Sequence, residues 1–168
     1  MILYPEAIFP SVDEVPFARE YSRGVRGIIF DIDNTLVPHG APADGHVKAL
    51  FRELREMGFQ CCLISNNHEA RVRPFAEAAG AFFQCDAGKP MKKGYLKAME
   101  RMETAPRETI FIGDQLFTDV WGANRAGIRS FLVNPIAPSS DPLQVRLKRI
   151  LERPLLYFYK RRERRRKS

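Results

Sequence analysis

Cysteine is scarce in this chain, and the few present do not suggest a framework. Cys61, Cys62 and Cys85 are odd in number and lack zinc-type spacing, so reduced, partly buried thiols are expected. His39, His46 and His68 share no metal-ligand spacing either. Long apolar runs are missing, and nothing approaches the roughly 20 residues that a membrane span requires. Near the start, Glu6 and several prolines stand where a secretory signal would carry a basic segment followed by an apolar one, so a cytoplasmic protein is expected. There is no internal repeat and no linker. A length of 168 residues, with 45% hydrophobic and 28% charged content, suits one soluble domain with a real core.

The net charge of +7 is unevenly spread. Residues 154–168 hold seven Lys/Arg and one Glu, net +6, which leaves 20 basic and 19 acidic residues, net +1, for residues 1–153. The basic character belongs to an aromatic and polybasic tail, and the body is close to neutral.

What the chain does have is a short apolar run that ends in two carboxylates. Residues 25–31 read as a strand buried on both faces, as in a parallel sheet, and it runs into Asp31-Ile32-Asp33-Asn34-Thr35. Before it, residues 1–24 carry scattered apolar anchors suited to covering an edge or end of a sheet. Ser11-Val12-Asp13-Glu14 has the form of a capping box. After it, Val47, Leu50, Phe51, Leu54 and Met57 have helical spacing, with Asp44 as cap and Gly58 as stop. Strands are expected at 59–64, 81–83, 109–112 and 130–133, with intervening helices through Val72, Phe75 and Ala79 to Gly80, near 91–103 and near 117–126, Pro90 falling in the first turn of the second. A last helix places Leu143, Leu147, Ile150 and Leu151 on one face, and Pro154 is expected to interrupt it. The alternation predicts an α/β fold: a three-layer α/β/α Rossmann-like arrangement on a five-stranded parallel sheet. Residues 1–153 then form a single domain and 154–168 a tail.

Polar residues recur at the C-terminal ends of successive strands: Asp31, Asp33 and Thr35, then Ser65 and Asn66, then Lys89, then Asp114. Open α/β sheets place their ligand crevice at those ends, where the strand order reverses. The residue types suit phosphoryl transfer. A carboxylate can attack phosphorus, and a second one can move the proton. Serine with helix-N-terminal amides can hold phosphoryl oxygens. Lysine neutralises developing charge, and clustered carboxylates hold a hard divalent ion. Other readings stand beside these. Asn66 and Asn67 also fit as caps of the next helix, and Asp119 as a first-turn carboxylate favoured by the helix dipole. His39 and His68 lie on loops near the crevice. Arg71 and Arg125 read as solvated helix positions within range of an anionic substrate, and Trp121 reads as packing.

These residues resemble the haloacid dehalogenase (HAD) superfamily, with four motifs in order: Asp31 to Thr35, Ser65, Lys89 in Gly88-Lys89-Pro90, and Gly113-Asp114 to Asp119. The resemblance implies Asp31 as nucleophile and metal ligand, and Asp33 as general acid/base that also reaches the metal through its backbone carbonyl. It implies Lys89 as catalytic, Thr35, Ser65 and Asn66 on the substrate side, Asp114 and Asp119 at the metal, and Mg²⁺ as cofactor. Asp33, where transport ATPases of the superfamily carry threonine, implies a phosphatase. Ser65 follows Asp31 by 34 residues and Lys89 follows Ser65 by 24, which leaves no room for a cap domain. The longer pattern is similar to the capless subclass IIIA phosphatases of the YqeG subfamily, themselves similar to phosphatidylglycerophosphate phosphatases. That likeness implies a lipid phosphate substrate at the inner face of a membrane. Small sugar or nucleotide phosphates, and a non-catalytic scaffold, are the alternatives. Residues 155–167 suit an anionic bilayer surface, a solvated charge run, or nucleic acid, the last being the least favoured.

Overall fold

The computed structural model describes the backbone of residues 2–167 and the side chains of residues 2–165. Met1 and Ser168, the outer bounds of the expected segments, fall outside it, as do the side chains of Arg166 and Lys167 in the basic stretch. Among the described residues, six strands form one parallel sheet: β1 (Ala7–Phe9), β2 (Gly27–Phe30), β3 (Gln60–Ile64), β4 (Phe82–Gln84), β5 (Thr109–Gly113) and β6 (Arg129–Val133). Their order across the sheet is β1-β6-β5-β2-β3-β4. β2 is central and buried at every position, which explains its unbroken apolar run.

Successive β2 side chains point to opposite faces and seed two cores. Ile28 and Phe30 join Val47, Phe51, Leu54, Val72 and Phe75 from α2 (Gly45–Glu56) and α3 (Glu69–Ala79). Ile29 joins Tyr95, Ala98, Met99 and Ala123 from α4 (Lys92–Met102) and α5 (Trp121–Arg125) on the other side. The three layers follow directly. α2 begins where expected, with Asp44 Oδ1 accepting from the Val47 N–H at 2.9 Å.

The structure departs from the sequence expectations at four places. Five strands become six, because Ala7–Phe9 pairs with Phe131–Val133 and is itself the sheet edge. A strand of three residues carries too little periodicity to be read from sequence. The Ser11 capping box does not form; Val12–Glu14 is a 3₁₀ turn whose Ser11 side chain makes no cap bond, and α1 (Phe17–Ser22) follows. Pro90 precedes α4 rather than sitting in its first turn, the cap position falling to Met91. Pro154 does not interrupt the last helix. α6 runs unbroken over Leu143–Lys167, since the carbonyl freed by proline belongs to solvent-exposed Ile150, and Leu155 and Leu156 beyond it pack on Leu116, Val120 and Leu132.

The segment Leu116–Val120 is a π-helical turn leading into α5. It is pinned from α4 by Tyr95, whose hydroxyl donates to the Thr118 carbonyl at 2.8 Å. Gly122 makes this possible: a Cβ there would fall 2.6 Å from the Tyr95 ring. Gly122→Ala should therefore lower unfolding stability by about 1–3 kcal/mol through overpacking, as measured by urea denaturation. A variant as stable as the wild type would mean that Tyr95 has room to move.

Candidate active site

Each strand end contributes one piece of a single crevice. The Asp31 N–H donates to the Ile112 carbonyl at 2.9 Å, so the first residue beyond β2 is still held by β5. Its Oδ1 accepts from Lys89 Nζ at 2.5 Å, and Lys89 also donates to Asp119 Oδ1 at 2.7 Å. The other Asp119 oxygen accepts the N–H groups of Asp114 and Gln115 at 3.2 and 3.1 Å. Gly113 allows that approach, since a Cβ there would lie 2.6 Å from Asp119 Oδ2. Thr35 Oγ1 lies 3.2 Å from Asp31 Oδ2 and 3.1 Å from Asp114 Oδ1, within donating distance of either.

Carboxylate oxygens of Asp31, Asp114 and Asp119 lie within 4.8 Å of one another, and all three residues are buried. Burial drives the Asp31 carboxyl well above its ordinary range; Lys89 opposes the rise, while Asp119 and Asp114 add to it. Burial likewise pushes Asp114 up to about 6, with Asp119 adding and Arg149 opposing. Burial alone would depress the Lys89 ammonium, but Asp119 and Asp31 beside it hold it well above its usual value. The cluster carries more negative charge than its neighbouring cations offset. An all-oxygen donor set of this kind fits a hard divalent cation.

The remaining expected residues take different positions around the crevice, whose volume is about 300 Å³. Ser65 follows β3, and its Oγ accepts the Asn67 N–H at 3.0 Å. Asn66 clamps the Lys89 backbone, accepting its N–H at 2.7 Å and donating to its carbonyl at 3.3 Å. Asp33 also lines the crevice, and its carboxylate is not part of the acidic cluster. Its Oδ1 accepts from Arg71 at 3.0 Å and from the Gly40 N–H at 2.8 Å, and its Oδ2 accepts from Asn67 at 2.8 Å. The solvated reading of Arg71 and the capping reading of Asn67 therefore give way to contacts with Asp33, and the cap position of α3 falls to His68. His39 lines the crevice, whereas His46 and His68 pair with Asp13 and Asp86. Arg125 lies over the Trp121 ring at 5.4 Å. Thr118 Oγ1 is buried beside the crevice with no hydrogen-bond partner among the described residues.

The residues that sequence reasoning missed come from the chain's last third and from Asn34. Arg149 of α6 pairs with Asp114 and donates to Asp141 Oδ2 at 2.6 Å. Asn34, in a left-handed conformation at φ 62°, donates to Asp141 Oδ1 at 2.5 Å and accepts the Ala137 N–H at 2.9 Å. Glu152 accepts the Phe117 N–H at 2.9 Å, satisfying a donor at the start of the π-helical turn. One signal was available: Val145, Arg149, Glu152, Leu156 and Tyr159 share a helix face, and an isolated Arg and Glu among apolar residues suggest buried partners.

Comparison with known proteins points to a family. The family model for haloacid dehalogenase-like hydrolases matches residues 40–127, a span that holds Ser65, Lys89, Asp114 and Asp119. A protein named probable phosphatase YqeG, from Bacillus subtilis, is 39% identical over 158 residues, covering 94% of this chain and 91% of its own length. Phosphatidylglycerophosphate phosphatase 1 of Arabidopsis thaliana is 27% identical over 150 residues, 80% of this chain but 41% of that protein, so the chain spans less than half of that relative. A cobalt-bound deoxy-D-mannose-octulosonate 8-phosphate phosphatase from Haemophilus influenzae matches with a TM-score of 0.53 at 17% identity over 75% of each chain, a likeness of fold.

Glu152 supplies a test of the α6 contact. Burial pushes its carboxyl from 4.5 to about 7, against the pull of the Phe117 N–H, with Asp119 adding to the rise. A folded value above the unfolded one means that its stabilising contribution is full below about 4.5 and is lost as pH rises through about 7. Glu152→Gln keeps an acceptor and does not titrate. Measured with chelator present, it should gain on the wild type by up to roughly 3 kcal/mol between about pH 4.5 and about pH 8. Urea melts at the two pH values read the difference, and a gap independent of pH would rule out a buried, titrating Glu152.

Proposed function

The chain belongs to the haloacid dehalogenase-like hydrolases, and from that premise we propose that it is a Mg²⁺-dependent phosphomonoesterase working through an aspartyl-phosphate on Asp31. The observation that carries the reading is Asp31 itself. It is a buried carboxylate at the crevice floor, oriented by Lys89 and Thr35, with Asp114 and Asp119 beside it. The Asp31 oxygen attacks phosphorus as the ester P–O bond breaks, and Asp33 donates a proton to the departing alkoxide. Asp33 then takes a proton from water, whose oxygen attacks phosphorus. The bond to Asp31 breaks, inorganic phosphate leaves, and both carboxyl groups return to their starting state.

Asp33, which lines the crevice beside Asp31, performs this by relaxing part of its hold on Arg71, Gly40 and Asn67. Ser65 and the N-terminal amides of α3 would bind phosphoryl oxygens, and Thr118 Oγ1 offers a further donor. Lys89 holds the nucleophile oriented and offsets charge on the phosphoryl group. Asp31 and Asp114 would hold Mg²⁺, with Asp119 fixing the Asp114 loop and Asp33 contributing its backbone carbonyl; the ion when bound supplies the positive charge that the cluster lacks.

For the substrate, we favour a lipid phosphate, phosphatidylglycerophosphate above all. Its support is the sequence likeness to the Arabidopsis thaliana protein of that activity and the build of the crevice. Only Pro142 and Val145 among the lining residues are apolar, so it suits a phosphate headgroup and has no slot for an acyl chain. The free thiols Cys61, Cys62 and Cys85 support a cytoplasmic setting, at the inner face of the membrane.

Asp31→Asn should abolish phosphate release from an aryl phosphate while keeping a native-like circular dichroism spectrum, with the thermal midpoint lowered because Lys89 loses one of its two carboxylate partners. Removal of divalent ions by chelation should stop wild-type turnover, and added Mg²⁺ should restore it. Unchanged turnover in Asp31→Asn sinks the mechanism. Faster turnover on sugar or nucleotide phosphates than on phosphatidylglycerophosphate in mixed micelles sinks the substrate assignment alone.

A further inference from the structure

α6 presents two faces of opposite use. Its inward face is fastened to the catalytic loops through Arg149 and Glu152, and to the body through Leu156 and through Tyr159, which lies edge-on to Tyr4 at 5.3 Å. Its outward face carries Leu143, Leu147, Ile150, Leu151, Tyr157 and Phe158, each between 54% and 69% exposed. At 3.6 residues per turn these six fall in one stripe about 120° wide and about 22 Å long. Soluble monomers rarely leave such an apolar surface uncovered. One flank of the stripe is lined by exposed Arg146, Arg153, Lys160 and Arg164. Beyond Phe158 the outward face itself turns basic at Arg161 and Arg165.

We propose that α6 is an interfacial helix that seats the protein on an anionic lipid bilayer, its apolar stripe entering the headgroup boundary and its basic flank meeting the lipid phosphates. An apolar face bordered by lysine and arginine, on a helix of low mean hydropathy, is what such surfaces bind. None of the described helices is long and apolar enough to cross a membrane, so the helix lies along the surface. Nucleic acid fits less well: phosphate contacts use the arginines but leave four exposed aliphatic side chains with nothing to cover them. A second copy of the chain also fits less well, because residues 143–158 carry Arg146, Lys148, Arg149 and Arg153 against Glu152 alone, net +3, so pairing the stripes would face like charges.

The position of the helix gives the seating a purpose. Gln144, Val145 and Lys148 form one wall of the crevice, and Lys148 directly follows Leu147 of the stripe. A chain lying on this stripe holds the crevice's α6 wall beside the lipid headgroups. A polar crevice with no acyl slot can then reach a phosphate whose tails never leave the bilayer. For the substrate this deepens the lipid-phosphate reading and rests on it; the seating itself rests on the surface of the helix.

The full chain, mixed with phosphatidylcholine vesicles with and without phosphatidylglycerol and no phosphomonoester, should sediment with the anionic vesicles and stay behind with the neutral ones. The double variant Leu147→Glu, Leu151→Glu should lose roughly tenfold or more in binding. Both positions are exposed, and an unchanged thermal midpoint verifies the fold. Arg146→Glu with Arg153→Glu should weaken binding through charge alone. Overturning results are a wild type that stays in the supernatant, variants that sediment like the wild type, or a dimer in sedimentation equilibrium that the leucine substitutions dissociate. Binding is scored without turnover. A catalytically inactive chain that sediments therefore counts against the phosphatase reading only, and an active chain that does not sediment counts against the seating only.

Discussion

The architecture depends on one buried ammonium group. Lys89 Nζ lies between Asp31 and Asp119, and none of the three side chains is more than 8% exposed. Removing a partner from such an arrangement leaves an uncompensated buried charge, at a cost of about 3–5 kcal/mol. The three groups come from the end of β2, the loop after β4 and the turn after β5, so the contact forms only when those strand ends are in register. The same contact orients Asp31, the proposed nucleophile. Folding and catalysis thus share a constraint, and the excess negative charge around it explains why the site suits a divalent cation.

Around that centre the chain builds supports that hold the clustered side chains in place. Gly113 lets Asp119 fold back under its own loop, and Gly122 lets Tyr95 brace the π-helical turn from beneath. Asn66 holds Lys89 by its backbone. From the opposite side, α6 joins in through Arg149 on Asp114 and Glu152 on the Phe117 amide. α6 forms a side wall of the crevice and turns an apolar face to the surroundings.

Much of this is legible in the sequence. The unbroken apolar run of β2 marked a central parallel strand, and the recurrence of polar residues at strand ends placed the crevice. The strand order, reversing between β2 and β5, follows the expected doubly wound pattern. Asp31, Lys89, Asp114 and Asp119 meet as their positions implied. Asp33 meets them only in part: its side chain is held by Arg71 and Asn67, two residues whose simpler readings were solvent and helix cap.

The sequence by itself determined the alternating elements, the polar strand ends and the family to which they belong. These are local matters, set by side-chain periodicity over a few residues and by chemistry concentrated in short motifs. Tertiary structure alone decided that Ala7–Phe9 is an edge strand, that α6 continues through Pro154, and that Arg149 and Glu152 face the catalytic loops. Each depends on a partner far along the chain: β6 for the first, the Leu116–Leu132 patch for the second, Asp114 and Phe117 for the third. The leucines of α6 made the same helical pattern whichever way they faced, and only the packed body turned them outward.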